Sequence, residues 1–233
     1  GFRDYITTMY DASGDHVGSH PYGITFDKND NVFVSFQHSD NVLGFEKDTF
    51  NKLPVPSALV NDTTRDFPGG TFYQFGKVGI HKSSEQGIRS IRWVEDNLWI
   101  ANENKRELKR GIIIVDKDGK AVGDVNIRKP INIYYNPKVS SRVWVGTKQS
   151  SSGRFEGAVV AINKDTHKIE QVITDESLVH PTGMFIHQGK LYVGEQTSNN
   201  IHIYDLDTGV KEDELDIKPY ISGALELLEL SWT

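Results

Sequence analysis

"HPTGMFIHQGKLYVGEQ", residues 180–196, restates in altered letters a phrase the chain has already used, "HPYGITFDKNDNVFVSF" at residues 20–36. Both open on His-Pro-x-Gly, run through a short apolar segment into a polar turn, and leave through a second, β-rich segment. Nothing local demands the same order about 160 residues apart, so the likeness is that of a repeated structural unit. "NVLGFEKDT" follows the first copy and "NIHIYDLDTG" the second, which adds a third segment to each. Two looser copies lie between them. "QGIRSIRWVEDNLWIANEN" leads to "RGIIIVDKDGKAVGDVNI", and "KPINIYYNPKVSSRVWVGTKQ" leads to "EGAVVAINKDTHKIEQVI".

In each unit the first two segments form a hairpin closed by "DKND", "VED", "NPKVSS" or "HQG". The third segment ends on an Asp-, Asn- or Gly-rich turn, the chemistry that reverses a chain, before a fourth, charged segment. The unit is therefore a four-stranded antiparallel meander, most apolar inside and most polar at its outer strand. A sheet this small cannot bury both faces alone, so successive sheets must cover one another around an axis. The expected fold is an all-β propeller of four-stranded antiparallel blades, about five of them visible or part of a six- or seven-bladed propeller. Ile112 to Val115, an unbroken apolar run between Gly111 and Asp116, fits a strand sandwiched between two blades. Pro130 to Pro181 spans 51 residues and Pro181 to Pro219 spans 38, values that bracket one blade.

Residues 1–233 read as one propeller domain carrying an inserted loop at about 54–86. In that insert Phe72, Tyr73 and Phe75 imply an ordered segment packed on one end of the propeller. "YITTMYDASG" resembles a third strand with its closing turn. "KPYISGALELLELSWT" resembles the opening of another unit that would supply the missing half-blade. A piece of a longer propeller is the competing expectation.

Composition narrows the partners. The balance of 26 Lys plus Arg against 32 Asp plus Glu gives a net charge of −6, which offers no positive field for nucleic acid. No apolar run approaches the roughly 20 residues that span a bilayer as a helix, so membrane insertion is not expected. Zero cysteines removes disulfides and thiolate chemistry. The compartment stays open, an extracellular or secretory setting being preferred, and Asn61-Asp62-Thr63 would be a glycosylation site there.

The phrase "HPYGITFDKNDNVFVS…NVLGFEKDT" resembles an NHL repeat, the propeller unit written as Pro-x-Gly, strand, Asp-x-x-Gly/Asn, strand, Asn-x-x, strand. The copy from His180 to Gly209 matches equally well, whereas Ile88 to Ser90 and Ile131 to Asn132 replace the Pro-x-Gly opening in the middle units. The resemblance implies kinship with propellers that serve as protein-binding scaffolds and with virginiamycin B lyase, gluconolactonase-like and peptide-amidating lyase enzymes. It does not choose between these roles.

Candidate sites follow from repeat position. His20 and His180 occupy equivalent places, and as a pair they are candidate ligands of a divalent metal, although such a site needs three or four convergent groups. A turn before the first strand explains them as well. Glu195-Gln196, Phe36-Gln37, Asn102-Glu103 and Lys148-Gln149 all leave second strands and share one rim. The resemblance to virginiamycin-type lyases makes Glu195 and Glu103 candidate bases or metal ligands, against the reading of solvated loop carboxylates. Lys105 and Arg106 lie in a mixed-charge rim loop able to dock an acidic group, and with Phe72, Tyr73 and Gln196 complete the binding candidates. Asp116-Lys117-Asp118-Gly119 and Asp205-Leu206-Asp207-Thr208-Gly209 read as hairpin turns rather than calcium loops. Trp93, Trp99 and Trp144 sit on strands and read as packing. No catalytic serine, phosphate-loop or zinc-protease string occurs. The expected role is a non-catalytic scaffold binding a protein or glycan, without a cofactor and within a larger assembly. A metal-assisted lyase or hydrolase at the channel mouth is the alternative.

Overall fold

A computed structural model describes residues 9–10, 16–18, 20–37, 39–47, 70–74, 87–103, 111–149 and 157–220. Short β-rich runs separated by turn residues become eighteen strands there. A two-stranded sheet is formed by β1 (Met9–Tyr10) and β2 (His16–Gly18). The first four-stranded sheet holds β3 (Pro21–Phe26), β4 (Val32–Phe36), β5 (Asn41–Phe45) and β6 (Gly70–Gln74). The second holds β7 (Ile88–Val94), β8 (Asn97–Asn102), β9 (Ile112–Val115) and β10 (Ala121–Val125). The third holds β11 (Pro130–Tyr134), β12 (Arg142–Thr147), β13 (Ala158–Asn163) and β14 (Ile169–Thr174). The fourth holds β15 (Pro181–His187), β16 (Lys190–Glu195), β17 (Asn200–Asp205) and β18 (Lys211–Asp216). Every four-stranded sheet keeps sequence order, the antiparallel meander that the repeat requires. The one helical element among the described residues is a 3₁₀ turn at Lys218–Tyr220.

The chain divides into two compact units, Gly1–Ile100 with Ile114–Val122, and Ala101–Ile113 with Gly123–Thr233; the second four-stranded sheet contributes strands to both. In the first unit, β4 and β5 bury Val32, Val34, Phe36, Leu43 and Phe45 as one cluster. Ser35 ties neighbouring sheets: its hydroxyl accepts from Gly23 N at 2.8 Å and donates to Arg89 O at 2.5 Å. Asp40 Oδ1 accepts from Gly87 N at 2.7 Å and Ile88 N at 3.2 Å, pinning the start of β7. In the second unit Trp144, Val159, Ala161, Ile173, Leu178, Met184, Ile186, Leu191, Val193, Tyr204 and Leu206 form one core shared by the third and fourth sheets.

The burial gradient follows the composition of each strand. All four residues of β9 are buried, as an apolar run flanked by turns requires, while β18, "KEDELD", keeps five of its six residues exposed. Trp99 and Trp144 are buried in strands, and Trp93 meets the Phe33 ring edge-on at 5.1 Å. The turns use side-chain carboxylates in place of backbone acceptors. Asp116 Oδ1 accepts from Asp118 N and Lys120 N, and Asp205 Oδ1 accepts from Asp207 N and Thr208 N. At Gly111 a Cβ would lie 1.7 Å from Ile127 O, so only glycine admits that backbone contact.

The insert needs correction. Residues 70–74 are not loop: β6 pairs with β5 as the outer strand of the first four-stranded sheet, from Asn41↔Gln74 to Gly44↔Gly70. The fourth strand of that unit is displaced in sequence rather than missing. Phe72 lies 4.8 Å from the Phe33 ring, edge-on, and 6.0 Å from Trp93, so it packs between sheets. Phe75, Asn61, the loop carrying Lys105 and Arg106, and residues 221–233 lie outside the described residues.

Candidate functional site

Where a second strand ends, its chain must turn beside the start of the first strand, and the backbone bond that closes this corner recurs. Gln37 N donates to His20 O at 2.9 Å, Lys148 N to Lys129 O at 2.9 Å, and Gln196 N to His180 O at 3.1 Å. His20 and Lys129 adopt φ of 60° and 51° there, a left-handed conformation uncommon for such side chains, so the corner is set by the surrounding sheet. His20 is exposed in the first unit and serves this corner; His180 is half-buried in the corner of the fourth sheet.

In the second unit two of these corners lie in line, and Glu103 stands beside the first of them. Glu103, just past β8, has its side chain only 10% exposed, yet its Oε1 has Lys129 Nζ at 3.8 Å and Lys148 Nζ at 4.0 Å. Two ammonium groups flank one carboxylate, and both lysines keep about a third of their side chains in solvent. Gln149 N donates to Val179 O at 2.7 Å, which carries the polar strip from the third sheet to the fourth. Val179 N and His180 N donate in turn to Glu195 Oε2 at 2.8 and 2.7 Å, and Thr197 N to Glu195 Oε1 at 2.8 Å.

Glu195 is thus neither a solvated loop acid nor an unoccupied base. It is fully buried, and both oxygens accept from backbone N–H groups that no strand partner satisfies, as a buried charge requires. Glu103 is buried too, with its charge matched by lysines. Gln196 is half-buried beside the same corner, and the half-buried Tyr73 lies on the outer strand β6, where burial raises its phenol.

A second polar network, which the sequence reading passed over, links the segment after β14 to β17 and β18. Ser177 Oγ donates to Asp175 Oδ1 at 2.5 Å and sits 3.3 Å from His202 Nδ1. Lys211 Nζ reaches Ser177 Oγ at 3.3 Å and Asp175 Oδ2 at 3.5 Å, and also contacts Glu214. Tyr204 donates its hydroxyl to Asp175 Oδ2 at 3.3 Å. Burial opposes ionisation of Asp175, but the two bonds from Ser177 and the Lys211 charge outweigh it and hold the carboxyl at about 2. Burial, helped by Lys211, pushes His202 below its ordinary value against the pull of Glu214, Asp175 and Glu195, so the imidazole is neutral. Serine, histidine and aspartate are all present, but the serine bridges the other two; a hydrolytic triad needs the histidine in the middle. No short sequence spacing marks this group, because Ser177 and Lys211 are 34 residues apart.

No family model and no curated protein sequence matches the chain. Solved structures do. A streptogramin B lyase superposes with a TM-score of 0.55 at 14% identity, covering 85% of this chain and 55% of that one. A virginiamycin B lyase from Staphylococcus aureus gives 0.54 at 15%, covering 85% and 56%, and the Neurospora crassa Pan2 WD40 domain gives 0.54 at 10%, covering 84% and 49%. The fold is a β-propeller. Its four-stranded sheets are the blades, and the chain spans about half the length of these similar structures. At such identities the likeness concerns the fold alone, and the likeness to NHL repeats rests on the sequence pattern.

Proposed function

We propose that the protein is a non-catalytic binding module, and that the blade corners of the second unit hold a carboxylate-bearing group of a protein or glycan. The observation that carries this reading is the division of labour among the ionisable groups. The carboxylates suited to act as bases are buried and occupied, Glu195 by three backbone amides and Glu103 by two lysines. The groups left facing solvent are the Lys129 and Lys148 ammoniums, at distances from Glu103 that leave their hydrogens free to turn outward. A carboxylate arriving there meets two cations on backbone corners fixed by sheet hydrogen bonding, an arrangement that gives attraction and orientation but no proton transfer.

The test uses two chemically defined probes, hexagalacturonate and a hexaglutamate peptide, titrated calorimetrically into the full chain. Binding of one or both, weakened about fivefold by Lys129→Ala with Lys148→Ala, is the expected result, since two partly exposed ion pairs contribute about 1 kcal/mol in sum. Equal binding by the double variant and the parent would remove the assignment.

A further inference from the structure

The outer strand of the fourth blade is held in place by polar contacts. Five of the six residues of β18 are exposed, and its one apolar side chain, Leu215, is 46% exposed opposite Ile201. Burial of apolar surface therefore contributes little to keeping β18 on β17. Besides the backbone ladder, two polar ties reach inward. Asn200 Nδ2 donates to the Glu214 carboxylate, and Lys211 Nζ reaches Ser177 Oγ at 3.3 Å and Asp175 Oδ2 at 3.5 Å. The remaining tie, Lys190 to Glu212, has both side chains more than a third in solvent and adds little.

His202 stands among these ties and is fully buried. It faces Glu214 across the ladder, with Nδ1 3.6 Å from Glu214 Oε2 and 3.3 Å from Ser177 Oγ. Accounting for hydrogens assigns its tautomer. Ser177 Oγ gives its one hydrogen to Asp175 Oδ1, so toward His202 it accepts, as does the Glu214 carboxylate; the ring hydrogen is therefore on Nδ1. Nε2 is left with a lone pair, and among the described residues it has no hydrogen-bond partner. A second proton would go there, as a buried cationic N–H with nothing to accept it. The charged groups that face the ring are Asp175 from the segment after β14, Glu195 from β16, and Lys211 and Glu214 from β18. The three carboxylates favour the cation, but burial, the largest influence, and Lys211 oppose it and hold the ring below its ordinary value. Water is the acceptor that a protonated ring requires. On one side the ring is walled by β16, anchored through the fully buried Leu191 and Val193, and on the other by β18, so β18 is the wall that yields.

We propose that His202 is an acid-operated latch on the fourth blade: the neutral ring keeps β18 closed on β17, and its protonation releases β18 while the apolar core shared by the third and fourth sheets stays packed. The released state presents β17 as a sheet edge, with backbone N–H and C=O groups free to pair. Opening is local because the elements differ in what holds them: β13 buries five of its six residues, whereas β18 buries none. The device is independent of the lysine corners.

Amide hydrogen exchange of the full chain, corrected for the intrinsic effect of pH and compared at about pH 7.5 and about pH 5.5, tests the latch. Carboxylates of ordinary value stay ionised across that interval, so the histidine is read apart from them. A ring that takes its proton near 6.5 when open and stays neutral when closed makes opening about tenfold more frequent at the lower pH. Protection of β18 should fall by that factor while protection of β12 and β13 holds, and His202→Gln should abolish the difference. Should that variant not fold, the parent decides alone: the His202 imidazole resonance should titrate below 6.5, and the exposed His187 should serve as its unshifted control. The proposal is overturned if β18 protection is the same at both pH values, or if β12 and β13 lose protection equally, which is global unfolding. It is equally overturned if His202→Gln keeps the pH dependence, or if His202 titrates together with His187.

Discussion

Replacing Glu195 by alanine tests the reading of the blade corner with a magnitude that the geometry supplies. Three backbone amides donate to this carboxylate at 2.7 to 2.8 Å, and the side chain is fully buried. Charge-assisted bonds contribute about 1.5–3 kcal/mol each. Thr197 is exposed enough for water to replace its share, so the loss expected from Glu195→Ala is about 3–5 kcal/mol. For a chain of this length that lowers the unfolding midpoint by about 10 °C. Glu195→Gln retains one acceptor oxygen for Val179 and His180 but turns a donor toward Thr197, so its loss should be near half. Thermal unfolding followed by tryptophan fluorescence reads both variants, and amide exchange reports whether protection at Val179, His180 and Thr197 falls with them. An alanine variant that melts within about 2 °C of the parent would refute the clamp and return Glu195 to the candidate bases.

Acid should destabilise the fourth blade in two steps. His202 has a folded value below its unfolded one, so its stabilisation is complete above about 6.5 and declines as the pH falls below that; Asp175, held at about 2 against about 4 unfolded, adds about 2 kcal/mol that disappears between about pH 4 and 2. Denaturation midpoints between pH 8 and 3 measure this, and Asp175→Asn with His202→Gln should flatten the profile; a parent profile already flat contradicts it. Gly111→Ala should fail to reach the native spectrum or lose several kcal/mol, because its Cβ would lie 1.7 Å from a backbone oxygen that cannot step aside. Soluble expression and a melt near the parent's would contradict that.

What the sequence shows of the fold is what depends on neighbours along the chain. Alternation, unbroken apolar runs and Asp/Asn/Gly turns are local, so the meanders and the buried Ile112–Val115 strand can be read directly. The strand β6 escaped because the residues between Lys47 and Gly70 interrupt the period, and "GTFYQ" alone does not say which strand it will pair with. The candidate site is legible in position but not in role. Repeat alignment brings Glu103, Lys148 and Glu195 to equivalent corners, yet that Glu195 faces backbone amides fifteen and sixteen residues upstream is a fact of three dimensions. The Asp175, Ser177, His202, Tyr204 and Lys211 network was invisible for the same reason: its members come from three separate segments, each bland in isolation.

The measurement that bears most directly on whether these corners hold rather than transform is a paired assay of Lys129→Ala/Lys148→Ala and Glu195→Gln, scored for hexagalacturonate binding, its turnover and the unfolding midpoint. The lysine variant should lose affinity even below a midpoint lowered by the loss of the two cations beside Glu103, while the glutamate variant loses stability and, below its midpoint, keeps affinity, with no probe consumed by any form. Turnover that disappears in a Glu195→Gln protein melting like its parent would contradict the account.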